Sequence, residues 1–150
     1  SRPSEVLYFH GTALQSNHVL SASDLATLPS DMVGTFTQSR ANERSEYRTT
    51  VRGIRLASLI ERLGLKTAAK ADWKNLWITV TATDGYRAQF SWVELVNTAV
   101  GDGVLLIFER DGQPLDPREG RIALLSTADF RLGARHVRNA LRIEVRHVVE

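Results

Sequence analysis

The sequence predicts a single α+β domain with a mixed, mostly antiparallel sheet and a few short helices. Three observations carry this expectation. Strand-like stretches and hairpin turns recur along the chain, only two or three segments look helical, and no repeat, low-complexity run or linker divides residues 1–150. With 43% hydrophobic and 24% charged residues, a chain of 150 has enough apolar material for one core. No apolar run approaches membrane-spanning length, so direct membrane insertion is not expected.

Val6-Leu-Tyr-Phe-His10 reads as a short strand closed by Gly11, and Val19-Leu20 continues a sheet. Ser21 or Ser23 caps a short helix, Asp24 to Leu28, which Pro29 stops. Asp31 to Gln38 alternates loosely and reads as a strand. Ser39 to Thr50 lacks apolar periodicity and reads as a long polar loop, a setting where function concentrates. Leu56, Leu59, Ile60 and Leu63 recur at helical spacing, facing the sheet, and Gly64 ends that helix.

Leu76 to Thr83 and Tyr86 to Phe90 read as strands joined by a two-residue Asp84-Gly85 turn. Ser91-Trp-Val-Glu94 is a capping box opening a helix to about Ala99. Val104 to Arg110 is a buried strand followed by a second turn, Asp111-Gly112. Pro114, Pro117 and Gly120 mark an irregular connection, and Ile122 to Ser126 is a strand. In the last strand Leu141, Ile143 and Val145 alternate with Arg142, Glu144 and Arg146.

Composition narrows the chemistry. The chain has no cysteine, which excludes disulfides, thiolate metal sites and Cys nucleophiles. Of 19 Lys plus Arg, only Lys66, Lys70 and Lys74 are lysines. Arginine suits planar, multidentate contacts. The arginines cluster at 40 to 55 and again at 131 to 146, while net charge is only +2, a pattern that favours a local pocket over a polyanion track. Nucleic acid is therefore not the expected partner. An Arg-mediated nucleic-acid module is the weakest alternative, since aromatic residues hardly interleave with the arginines.

There is no Walker loop, no G-x-S-x-G and no H-E-x-x-H. His10, His18, His136 and His147 are not at metal spacing. His147 continues the face of the last strand, and His18 is expected at the surface. His136 stands out among arginines, which favour a neutral imidazole able both to donate and to accept. Asp129 has two readings: an ion pair with Arg131 or Arg135, or a carboxylate accepting the N–H groups of an amino-pyrimidine edge.

Five stretches in this order resemble the molybdopterin-binding fold of the sulfite-oxidase superfamily: 19–29, 51–60, Thr83-Asp-Gly-Tyr86, Phe108-Glu-Arg-Asp-Gly-Gln-Pro-Leu115 and Gly133-Ala-Arg-His-Val-Arg-Asn-Ala-Leu-Arg-Ile-Glu-Val145. The last resembles the family's Gly-x-Lys/Arg-Ser-Val-Lys-Trp pterin-binding segment. Arg135 takes the first basic position, His136 replaces the Ser, Arg138 the Lys and Asn139 the Trp. The family's molybdenum-ligating Cys would fall near Thr37-Gln38-Ser39, and this chain has none. Softness and charge favour thiolate for that metal, so an oxygen ligand from Thr37 or Ser39 is the less favoured alternative.

The chain thus resembles the small cysteine-less, PruR-like pterin-binding branch. That resemblance implies a non-enzymatic, exported periplasmic protein, its leader absent from this sequence, with a neopterin- or monapterin-like pterin as ligand and no molybdenum. It also implies a protein partner, the periplasmic domain of a membrane enzyme of cyclic-di-GMP metabolism. The alternative is a molybdopterin-dependent oxidoreductase with a non-cysteine metal ligand.

The ligand is expected between the Ser39–Thr50 loop and the Asp129–Arg138 segment. Arg40, Asn42 and Arg131 are placed at the mouth, with Tyr47 or a guanidinium as stacking surface. Gly133, Arg135, His136 and Arg138 form the cradle, and Asp129 is a candidate for the pterin edge. Arg118, in the Pro-rich connection, is expected off the pocket.

Overall fold

The computed structural model describes residues 5–41, 46–67 and 69–148. Two sheets, not one, enclose a shared core. The first is built from β1 (Val6–His10), β2 (His18–Ser21), β5 (Leu76–Ala82), β6 (Arg87–Ser91) and β10 (Ala140–His147), in the order β2-β1-β10-β5-β6. Only the β1–β10 pair is parallel among the described ladders. The second contains β3 (Val33–Ala41), β4 (Glu46–Arg55), β7 (Val104–Arg110) and β8 (Gln113–Pro114), in that order, with β9 (Ala123–Ser126) also paired to β7.

The core explains the sequence pattern. Leu7 and Phe9 of β1, Ile78 and Val80 of β5, and Ile143 and Val145 of β10 all point inward, as period-two alternation requires. They meet Ile54, Leu106 and Leu124 of the second sheet. The other face of that sheet buries Val51, Leu105, Ile107 and Leu125. Both faces of β7 are therefore covered, which is why Val104–Phe108 is a continuous apolar run.

Among the described residues four short α-helices fill the ends. α1 (Ala22–Ala26) carries a full capping box between Ser21 and Asp24. α2 (Leu56–Leu63) buries Leu56, Leu59 and Ile60, and Leu63 packs at the edge of the core. Gly64 closes it, its N–H donating to the Ile60 carbonyl. α3 (Trp92–Asn97) is capped by Ser91 Oγ, and α4 (Ala99–Asp102) follows directly. Among the described residues no helix is long and apolar enough to cross a membrane.

Two local expectations are corrected. Ser39–Thr50 is not a loop over its described part: β3 and β4 pair from Val33↔Ile54 out to Ala41↔Glu46. The alternation is real but written in polar residues. Thr37, Ser39, Arg48 and Thr50 are exposed, while Gln38 and Thr49 are buried. The β5–β6 connection has three residues, not two. Gly85 N–H donates to Ala82 O, Ala82 N–H to Tyr86 O, and Gly85 takes φ +90°. That is a turn followed by a glycine bulge. Asp111-Gly112 is the expected two-residue turn, with φ +50° and +78°.

Candidate functional site

A cavity of about 570 Å³ opens beside the end of β7, lined by Gln38, Arg110, Asp116, Glu119, and jointly by Arg118, His136 and Arg138. A second, of about 210 Å³, shares Arg118, His136 and Arg138 and adds Asp84, Tyr86 and Gly133. The three shared residues make the two cavities halves of one trough.

Each side chain is placed by a specific local device. Val137 bridges to Leu124 through two backbone hydrogen bonds of 2.9 and 3.0 Å, and its side chain enters the core. Period-two alternation then turns His136 and Arg138 to the opposite side, into the trough. Arg118 and Glu119 sit on a tight turn started by Asp116, whose carboxylate accepts from Arg118 N–H at 2.8 Å. Asn139 fastens that turn: its backbone N–H donates to Glu119 O at 2.7 Å and its amide to Arg118 O at 3.3 Å. The hydroxyl of Tyr86 donates to Ala134 O at 2.6 Å, holding the 132–135 turn over the β5–β6 connection. A Cβ built on Gly133 meets nothing within 4 Å, so backbone there is open to a ligand.

The floor is a bonded cluster. Arg110 donates to both carboxylate oxygens of Glu119, from Nε at 2.9 Å and from Nη2 at 2.8 Å. Its Nη1 donates to Gln38 Oε1 at 2.8 Å and to Thr49 Oγ1 at 3.0 Å. His136 Nε2 lies 2.9 Å from Glu119 Oε2. The Glu119 side chain is only 9% exposed. Burial works to raise its pKa, but the hydrogen bonds from Arg110 and His136 and the charge of Arg110 outweigh it, and the value falls from 4.5 to about 2. Glu119 is therefore a carboxylate at neutral pH.

The expected site residues separate on this geometry. His136, Arg138 and Gly133 line the trough. Arg135 does not form part of it. Its guanidinium donates to Asp129 at 2.8 and 2.7 Å, to Glu94 at 3.0 and 3.3 Å, and stacks 4.4 Å from the Phe90 ring centre. Its bonds to Asp129 and then to Glu94, against the opposing effect of burial, raise the Arg135 pKa. Asp129 is lowered by its Arg135 bond first and Ser126 further, despite burial. Of the two readings of Asp129, the ion pair is the one seen, and with Arg135. Arg131 is exposed and lines neither half of the trough. Arg40 and Tyr47 are backbone partners at the far end of the β3–β4 ladder, and Asn42 lies outside the described residues.

Sequence reasoning missed Arg110, Glu119, Gln38 and Arg118. Arg118 is on the trough wall, not off it. Arg110 was read only as the end of a buried strand, and Glu119 was not singled out within the irregular connection. The one available signal was an arginine and a glutamate flanking a hairpin and a proline-rich turn, close enough in sequence to meet. On β3, Gln38 points to the trough, so Thr37 and Ser39 belong to the other face. Among the described residues no group of three or more His, Asp or Glu is arranged to hold a metal. No protein-family model matches the chain, and no curated protein matches it.

Proposed function

We propose that this protein binds a pterin, of neopterin or monapterin type, in the trough between the β3–β4 hairpin, the 116–120 turn and the 133–139 segment. One observation carries the reading. Three separate stretches that resemble the pterin-binding superfamily supply trough residues: Asp84 and Tyr86 from the first, Arg110 from the second, and Gly133, His136 and Arg138 from the third. A volume of about 570 Å³ lies within the range of small-molecule sites. Its chemistry suits a flat heterocycle with a polar edge: guanidinium planes at Arg118 and Arg138 for stacking, and imidazole and open backbone for hydrogen bonds.

By the same resemblance the bound form is read by the periplasmic domain of a membrane enzyme of cyclic-di-GMP metabolism, without catalysis by this chain.

Titration calorimetry with neopterin and monapterin tests the binding step. The expected result is one site per chain with saturable heat. Absence of binding by either pterin, with the protein folded by circular dichroism, removes the reading.

A further inference from the structure

The bonds around His136 decide what its ring offers to a ligand. Nε2 lies 2.9 Å from Glu119 Oε2. That carboxylate already receives two N–H groups of Arg110, so it has no proton to give and only accepts. Nε2 must therefore carry the hydrogen. Nδ1 has no hydrogen-bond partner among the described residues, and it is not sealed off from open space. With the ring only 11% exposed yet on the trough wall, the open space beside it is the trough itself.

We infer that the Glu119 carboxylate, oriented by Arg110, locks His136 as the Nε2–H tautomer, and that its bare Nδ1 is the acceptor by which the trough selects ligands presenting an N–H group. His136 is the specificity-determining contact, and Glu119 and Arg110 are positioning residues. The neighbouring trough side chains sharpen the point. Arg110, Arg118 and Arg138 can only donate, and Glu119 is spent on Arg110 and His136. Nδ1 adds a neutral acceptor beside these guanidinium donors, whereas the Asp116 and Asp84 carboxylates of the trough already accept from the backbone N–H groups of Arg118 and Tyr86. A 2-amino-4-oxo pyrimidine edge carries N–H groups beside a carbonyl, so it matches an acceptor set among guanidinium donors. The choice of ligand rests on the pterin reading, whereas the tautomer does not.

Two substitutions separate the nitrogens. An asparagine amide reaches about as far as Nδ1 and keeps an acceptor there, while losing Glu119. A glutamine amide reaches about as far as Nε2 and keeps the donor to Glu119, while losing the acceptor. His136→Asn should hold neopterin affinity within a few-fold, and His136→Gln should weaken it about tenfold or more with an unchanged thermal midpoint. The opposite ranking overturns the inference, because it means that the Glu119 bond alone matters. Nitrogen-15 spectra of the ligand-free wild type form the second arm, taken at mildly alkaline pH where a free imidazole is neutral. They should show a protonated Nε2 and a bare Nδ1. A protonated Nδ1 overturns the inference whether or not any pterin binds, and the expected spectrum without pterin binding leaves the tautomer standing and removes only the pterin.

Discussion

Arg135 and Arg138 are three residues apart and chemically the same, yet the fold gives them opposite tasks. Arg135 spends its donors on Asp129 and Glu94 and lays its plane on Phe90. It fastens the 129–135 segment to β6 and α3, elements far away in the sequence. Arg138 is exposed, lines both halves of the trough and makes no ion pair among the described residues. The same contrast holds between Arg110, neutralised on Glu119, and exposed Arg118. What separates an anchoring arginine from one open to a ligand is the carboxylate supplied by another element, and a cluster of arginines in sequence does not show it.

The sharpest way to break this comparison is at the anchored end. Glu119→Ala leaves Arg110, only 21% exposed, without its counter-charge. Removing one partner of a buried pair costs about 3–5 kcal/mol, and the low end applies here because Arg110 keeps Gln38 and Thr49. Urea unfolding should show that loss. A change inside the range of surface substitutions would mean the cluster does not hold the fold together.

Acid tests the same pair without a mutation. Glu119 has a lower pKa folded than unfolded, so its contribution is complete above 4.5 and is lost as pH falls toward about 2. A shift of that size corresponds to something on the order of 3 kcal/mol. Asp129 is also lowered and adds to the loss in the same direction. Unfolding free energies measured from pH 6 downward should therefore fall steeply in the acid range for wild type and less steeply for Glu119→Gln.

Arg135→Ala comes next in size. It removes charge-assisted bonds to two partly buried carboxylates and should cost about 1.5–3 kcal/mol. The sequence-based expectation instead places Arg135 in the ligand cradle. Neopterin affinity that fell sharply while the thermal midpoint stayed put would return Arg135 to the cradle.

How far the sequence was readable follows from the same physics. Val6–His10, Val104–Arg110 and the stripe Leu56, Leu59, Ile60 and Leu63 fall where periodicity puts them, because apolar burial is written locally. Ser39–Thr50 was misread because the inward residues of β3 and β4 here, Gln38 just before it and Thr49 within it, are polar and buried on Arg110. A period counted in apolar residues cannot register that. His136 and Arg138 were legible because they stand in one arginine-rich stretch that resembles a pterin-binding segment, and the fold turns both to the trough around Val137. Arg110, Glu119 and Arg118 were not, because they join the site only when two sheets bring β7, the 116–120 turn and the 133–139 segment together.

The smallest expected effect decides the other half of the comparison. Arg118 and Arg138 are exposed and without ion pairs among the described residues, so Arg118→Ala and Arg138→Ala should each shift stability by no more than about 0.5 kcal/mol. If they face the ligand, each should still weaken neopterin binding about tenfold, the price of one bond from a charged donor. The two lie on different segments yet share both cavities, so their effects should not simply add in the double mutant. Arg131→Ala is the control, exposed like them but outside the trough, and should change neither quantity. Calorimetry on the four proteins separates the outcomes. Equal affinities for wild type, Arg118→Ala and Arg138→Ala would mean that an exposed guanidinium on a cavity wall here is solvated surface, and the contrast with Arg135 would reduce to anchored against idle.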